Sequence, residues 1–163
     1  MNLKLAQIAV QEAKKNYHGN TAAAIGNLQP IAQLFRGEPD VNEQSLDGNW
    51  SGAFVYWCAK LAGVGLPTRY PDPRIGKSFA EAIAWERYAR LPKIHLWHEP
   101  GEDPEVGDLV VIEPKGKNPM KVGVILAVTP DVLETAEGDY HNHSALVERQ
   151  RDEYIRGYIR LNG

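Results

Sequence analysis

A serine at the start of an apolar helical run is the first residue in this chain whose position invites chemistry. Ser51 follows the turn-forming Asp47-Gly48-Asn49 and Trp50. It precedes the nearly unbroken apolar run Ala53-Phe54-Val55-Tyr56-Trp57-Cys58-Ala59, and Gly63 sits where a helix would stop. The pattern predicts a buried helix whose first turn is exposed at a loop. Unpaired backbone N–H groups at a helix N-terminus, with the positive end of the dipole, stabilise a thiolate, an oxyanion or a bound anion. Ser51 is therefore a candidate nucleophile, provided a base lies within reach. Cys58, the only cysteine, is its rival. It lies about 10 Å further along the helix axis, away from the dipole, and its apolar flanks predict an inert core thiol.

The histidines and aromatics offer less. His95, His98 and Glu99 have a spacing that suits a metal when carried on a helix, but Pro92 and Pro100 bracket them too closely for a good one. His141 and His143 would share one face of a strand, yet Asn142 and Ser144 give that segment loop character. Paired histidines without further spaced ligands are weak evidence for metal, so surface loops are expected, with no metal and no cofactor. Trp50, Tyr56, Trp57, Trp85 and Trp97 could line a sugar or peptide groove, although most belong in a core. Trp50, adjoining Ser51, is the one expected to meet substrate near a cleft.

These residues must be positioned by a chain of 163 residues, the size of one ordinary domain, so one domain spanning 1–163 is expected. Hydrophobic residues at 43% and charged residues at 24% exclude disordered, coiled-coil and disulfide-scaffold classes. A net charge of -3 and scattered basic residues speak against a nucleic-acid partner. A single cysteine forms no internal disulfide. Met1-Asn2-Leu3-Lys4-Leu5 leads straight into an amphipathic pattern, so no signal peptide is expected, and no apolar run approaches a membrane span. Localisation stays open.

The first half reads as helical. Leu5, Ile8, Ala9 and Ala13 recur at helical spacing over residues 3–16, with Asn2 as cap and Gly19 as stop. A second helix is expected between Asn27 and Gly37, with Ile31, Leu34 and Phe35 inward and Pro30 in its first turn. Residues 37–49 read as a loop, and Gly63 to Pro73 is too rich in Pro and Gly for regular structure. Ser78-Phe79-Ala80-Glu81 has capping-box spacing for a helix running to about Arg90, ahead of Pro92.

The second half turns to strands. Gly107 to Ile112, Lys121 to Val128 and Val132 to Ala136 are β-rich runs, separated by the turn-forming segments 113–119 and 129–131. Ala145 to Arg149 and Tyr154 to Leu161 supply two more. Helices first and about five strands afterwards predict an α+β domain, with N-terminal helices packed on an antiparallel sheet.

Five pieces in this order resemble the papain-like cell-wall amidases and endopeptidases of the NlpC and CHAP type. They are Trp50 to Trp57 with Ala62-Gly63, Val106-Gly107-Asp108-Leu109-Val110, Lys121-Val122-Gly123-Val124, Glu137-Gly138-Asp139 and Arg156-Gly157-Tyr158-Ile159. The resemblance covers roughly the C-terminal two thirds, and its ordered combination is more specific than any single piece. It implies a papain-like fold, a peptidoglycan or wall-derived peptide as partner, and a catalytic set at Ser51, Lys121, Glu137 and Asp139. In that family a Cys at the helix start attacks a peptide carbonyl, a His opening the next strand activates it, and a polar residue on the following strand orients the His. Here Ser51 stands for the Cys, Lys121 for the His, and Asp139 where CHAP-type members usually carry Asn; Glu137 fits the pattern.

Those replacements predict a hydrolase-like domain that is inactive or weakly active. The alternatives are a non-catalytic peptide- or wall-binding module and, third, an active Ser-Lys hydrolase. Lys121 can act as a base only when neutral, and bringing a lysine from about 10.4 to near 7 costs on the order of 4 to 5 kcal/mol. Burial can supply that, whereas Glu137 and Asp139 would oppose it by favouring the ammonium form. His141 reaching the cleft would partly replace the missing base.

Overall fold

The computed structural model describes residues 1–38, 46, 49–67, 72–116 and 119–162. Asp47-Gly48, most of the expected 37–49 loop, Tyr70-Pro71 and Lys117-Asn118 lie outside the described residues.

Helix α1 spans Leu3–Ala13, and the Asn2 side chain accepts the Leu5 N–H at 3.1 Å, as a cap should. Its inner face is Leu5, Ala6, Ala9 and Ala13. It ends three residues before the expected Asn16, because Asn16 turns left-handed (φ 54°) and the chain leaves to meet a strand. Helix α2, Gln29–Ala32, carries Pro30 in its first turn and tightens into a 3₁₀ turn at Gln33–Phe35, with Ile31 and Phe35 fully buried.

The apolar run forms α3, Ser51–Ala62, closed by Gly63 in the left-handed conformation (φ 77°) that glycine adopts without strain. Its first turn is not exposed, contrary to expectation. Trp50 and Ser51 have no accessible surface: Trp50 lies against Gly138, Ser51 bonds to Val122 and Asn49, and the 78–81 turn covers the next two residues, with the Ala80 carbonyl accepting the Ala53 N–H at 3.1 Å. Helix α4, Ala82–Ala89, starts later than the expected capping box. Glu81 is extended and pairs with Lys77 at 3.2 Å, while the Phe79 and Ala80 carbonyls serve Trp85 Nε1 and Ala53. Those contacts with α3 and Trp85 hold the 78–81 turn open.

Six strands follow: β1 Trp97–His98, β2 Leu109–Ile112, β3 Lys121–Val128, β4 Val132–Tyr140, β5 His143–Gln150 and β6 Ile155–Ile159. They form one antiparallel sheet in the order β1-β6-β2-β3-β4-β5. The α+β class stands, with one strand more than expected: β1, a two-residue partner of β6. β4 and β5 run beyond their apolar centres to a two-residue turn, His141-Asn142, with φ of 50° and 65°, the geometry that matches the twist of a hairpin. Helix α3 packs on α1, β3 and β4. The main core lies between helices and sheet, and Val110, Ile112, Ile125, Leu133, Ile155 and Tyr158 form a second cluster on the other face. Among the described residues no helix is long and apolar enough to cross a membrane.

Candidate functional site

The start of α3, the opening of β3 and the end of β4 meet at one place. Gly138 makes the approach close: a Cβ there would lie 2.4 Å from Phe54 Cβ and 2.8 Å from Trp50 Cζ3, so β4 runs directly under the helix start. The Ser51 hydroxyl accepts the Val122 N–H at 3.3 Å and faces Asn49 Oδ1 as donor, also at 3.3 Å. Asn49 Nδ2 in turn donates to the Met120 carbonyl at 3.4 Å. Ser51 thus joins the helix start to β3 beside Lys121, using both its donor and an acceptor.

Lys121 does not turn to Ser51. Its ammonium lies 2.7 Å from Asp139 Oδ2 and 3.2 Å from the Asp139 carbonyl, with the two side chains 16% and 7% exposed. Asp139 reaches this position through a left-handed backbone (φ 57°) at an irregularity in β4 pairing between Glu137 and Tyr140. Lys121 thus gives its ammonium to Asp139 and makes no hydrogen bond to Ser51.

Glu137 belongs to a different pair. Arg149 grips it from Nε at 2.9 Å and Nη2 at 2.7 Å, and Thr135 Oγ1 donates to it at 2.7 Å. The Glu137 hydrogen bond raises the already high Arg149 pKa in this bidentate pair. Trp50, expected at the cleft, is wholly buried, its indole N–H donating to Asn142 Oδ1 at 3.3 Å. Its side chain is part of the core under the β4–β5 turn.

Above the Lys121–Asp139 pair lies an open cleft of about 460 Å³, walled by Arg149, Tyr140, His141 and Asn142 with Pro114 and Pro119 at the rim. Lys121 and Asp139 line it, whereas Ser51 is not part of its described lining. The cleft therefore offers two charged pairs and an aromatic wall. Of the expected residues, Lys121 and Asp139 come together, Ser51 lies behind them, Glu137 pairs across the sheet, and Trp50 lies beneath. Arg149 and Asn142 gave no sequence signal, since their roles depend on strand register and on the turn.

The rival groups are accounted for. Cys58 is buried, and burial first, then the nearby Glu12 carboxylate, pushes its thiol pKa well up. Burial alone would raise the pKa of Glu12. Hydrogen bonds from Lys15 (2.6 Å), Trp57 (2.8 Å) and Tyr17 (2.8 Å) outweigh it, so the carboxyl stays below its ordinary value. Burial and the same carboxylate push Tyr17 up to about 12. His98 sits on β1 rather than a helix and pairs with Glu102 at 2.9 Å, while Glu99 accepts from Trp97 and Arg90. Among the described residues no group of three or more His, Cys, Asp or Glu side chains converges on a metal position.

The chain matches no protein-family model and no curated protein sequence.

Proposed function

We propose that this chain is a papain-like domain of the NlpC and CHAP type that binds peptidoglycan-derived peptides, with a hydrolytic centre that is disabled as it stands. One observation carries the reading: Lys121, opening β3 next to the helix that begins at Ser51, gives its ammonium to Asp139 at the end of β4. The resemblance implies that three-element order, with a base on the first strand oriented by a polar group on the next. Lys121 paired with Asp139 keeps the geometry of such a pair without setting a base against Ser51. Ser51, fully buried and bonded to Val122 and Asn49, has no activating partner among the described residues. The cleft beside the pair is the peptide site. Its Lys121 and Arg149 suit the carboxylates of wall peptides, and Tyr140 suits their aliphatic parts.

Purified muropeptides incubated with the unmodified chain, with Ser51→Ala, and with Ser51→Cys plus Lys121→His test this. Cleavage is expected only with the double substitution. Cleavage by the unmodified chain that disappears in Ser51→Ala would instead identify an active Ser-Lys hydrolase.

A further inference from the structure

The chain leaving α1 touches the edge strand β5 at one isolated bridge, His18 opposite His143. The flanking hydrogen bonds define its type: Gly19 N–H donates to the Asn142 carbonyl at 3.2 Å and Ser144 N–H to the Tyr17 carbonyl at 2.8 Å. The bonds thus bracket the two histidines instead of joining them. In an antiparallel pair of this kind the facing side chains share one side and stand closest together. The two imidazoles accordingly lie with ring centroids 5.8 Å apart at a tilt of 32°.

One residue orients both rings. His18 Nδ1 lies 3.2 Å from the Asn16 carbonyl, and His143 Nδ1 lies 3.2 Å from Asn16 Oδ1. Both Asn16 atoms are acceptors as the amide is oriented here, so each Nδ1 carries the hydrogen and each neutral ring keeps its lone pair on Nε2. Asn16 presents both oxygens from a left-handed backbone (φ 54°). Among the described residues neither Nε2 has a protein partner, and both rings reach solvent. Anchoring Nδ1 on an oxygen acceptor is how metal-ligating histidines are held.

We propose that His18 and His143 form a two-histidine site for a borderline divalent cation such as Zn²⁺ or Ni²⁺, with water completing the shell. The spacing fits. With metal–nitrogen bonds of about 2.0 to 2.1 Å, and about 1.1 Å more to each ring centre, two tetrahedral imidazole ligands have centroids about 5.2 Å apart. The observed 5.8 Å lies near that value, and a shared cation requires both rings to turn Nε2 toward one point. A bound cation would clamp the segment after α1 onto β5, one residue from Asn142 and so next to the Trp50 contact. The pair adjoins the proposed peptide cleft at Asn142 but shares none of its lining residues.

Tag-free protein is titrated with Zn²⁺, and separately with Ni²⁺, at mildly alkaline pH, because a metal takes only a deprotonated imidazole nitrogen. Calorimetry and imidazole nitrogen NMR signals of the unmodified chain are the readouts. One saturable site is expected, with Zn²⁺ moving the His18 and His143 Nε2 signals and leaving those of His95, His98 and His141 in place. His18→Gln and His143→Gln should each weaken binding at least about tenfold, and His98→Gln should not. No saturation by about 1 mM metal, a response confined to other histidines, or full affinity in either variant would overturn the proposal.

Discussion

Breaking the Lys121–Asp139 pair should reveal how firmly the ammonium is held. Both groups are mostly out of water and 2.7 Å apart, so removing one leaves the other charged and unpaired. A fully buried pair loses about 3 to 5 kcal/mol on such a change; the 16% exposure of Lys121 lets water enter, so about 2 to 4 kcal/mol is expected for Lys121→Met. Asp139→Asn keeps a side chain that tolerates the left-handed backbone, and should lose about 1 to 3 kcal/mol. The double variant removes both charges and should lose less than the sum, giving a coupling of about 1 to 2 kcal/mol. Urea denaturation of the four proteins measures it, since slopes of about 1 to 3 kcal/mol/M turn these losses into midpoint shifts of roughly 0.3 to 4 M. Additive losses, with coupling under about 0.3 kcal/mol, would refute the reasoning: the two side chains would then not hold each other.

Other perturbations test the frame around the site. Gly138→Ala sets a Cβ 2.4 Å from Phe54, and thermal melting should show a loss of about 2 to 4 kcal/mol as β4 is pushed off α3. The folded state lowers the pKa of Glu12 from its ordinary 4.5, so its contribution to stability is present above that value and fades as pH falls through the folded value. Glu12→Gln should therefore destabilise the chain at neutral pH and flatten the acid side of a stability-against-pH curve; an unchanged acid slope would contradict this. Cys58 should resist a thiol reagent at pH 8 in the folded chain and react on unfolding, since its sulfur is buried and its pKa raised.

The position of α3 was legible because an apolar run ended in Gly63, and β3 because Val, Ile and Leu filled a stretch bounded by turns. The burial of Ser51 was not legible. Its hydroxyl meets Val122 and Asn49, and the 78–81 turn, whose capping-box spacing suggests a helix start, covers Gly52 and Ala53 instead. The end of β4 at Glu137-Gly138-Asp139 was marked only by the order of segments, since Gly138 and Asp139 are poor strand formers, and the His141-Asn142 turn into β5 read only as a loop. A strand of two residues, such as β1, has no period to detect. Lys121 and Asp139 could be marked through the order of segments, but Glu137 went to Arg149, a residue the register sets opposite Leu133, by a side-chain reach that one sequence does not display.

The most direct measurement of the central claim is a titration of the isotope-labelled chain with a purified wall peptide, followed by amide NMR and by chromatography of the same samples. Saturable shifts at Lys121, Asp139 to Asn142 and Arg149, with the peptide recovered intact, are the predicted result. Peptide cleavage, or shifts absent from the cleft at saturating peptide, would contradict it.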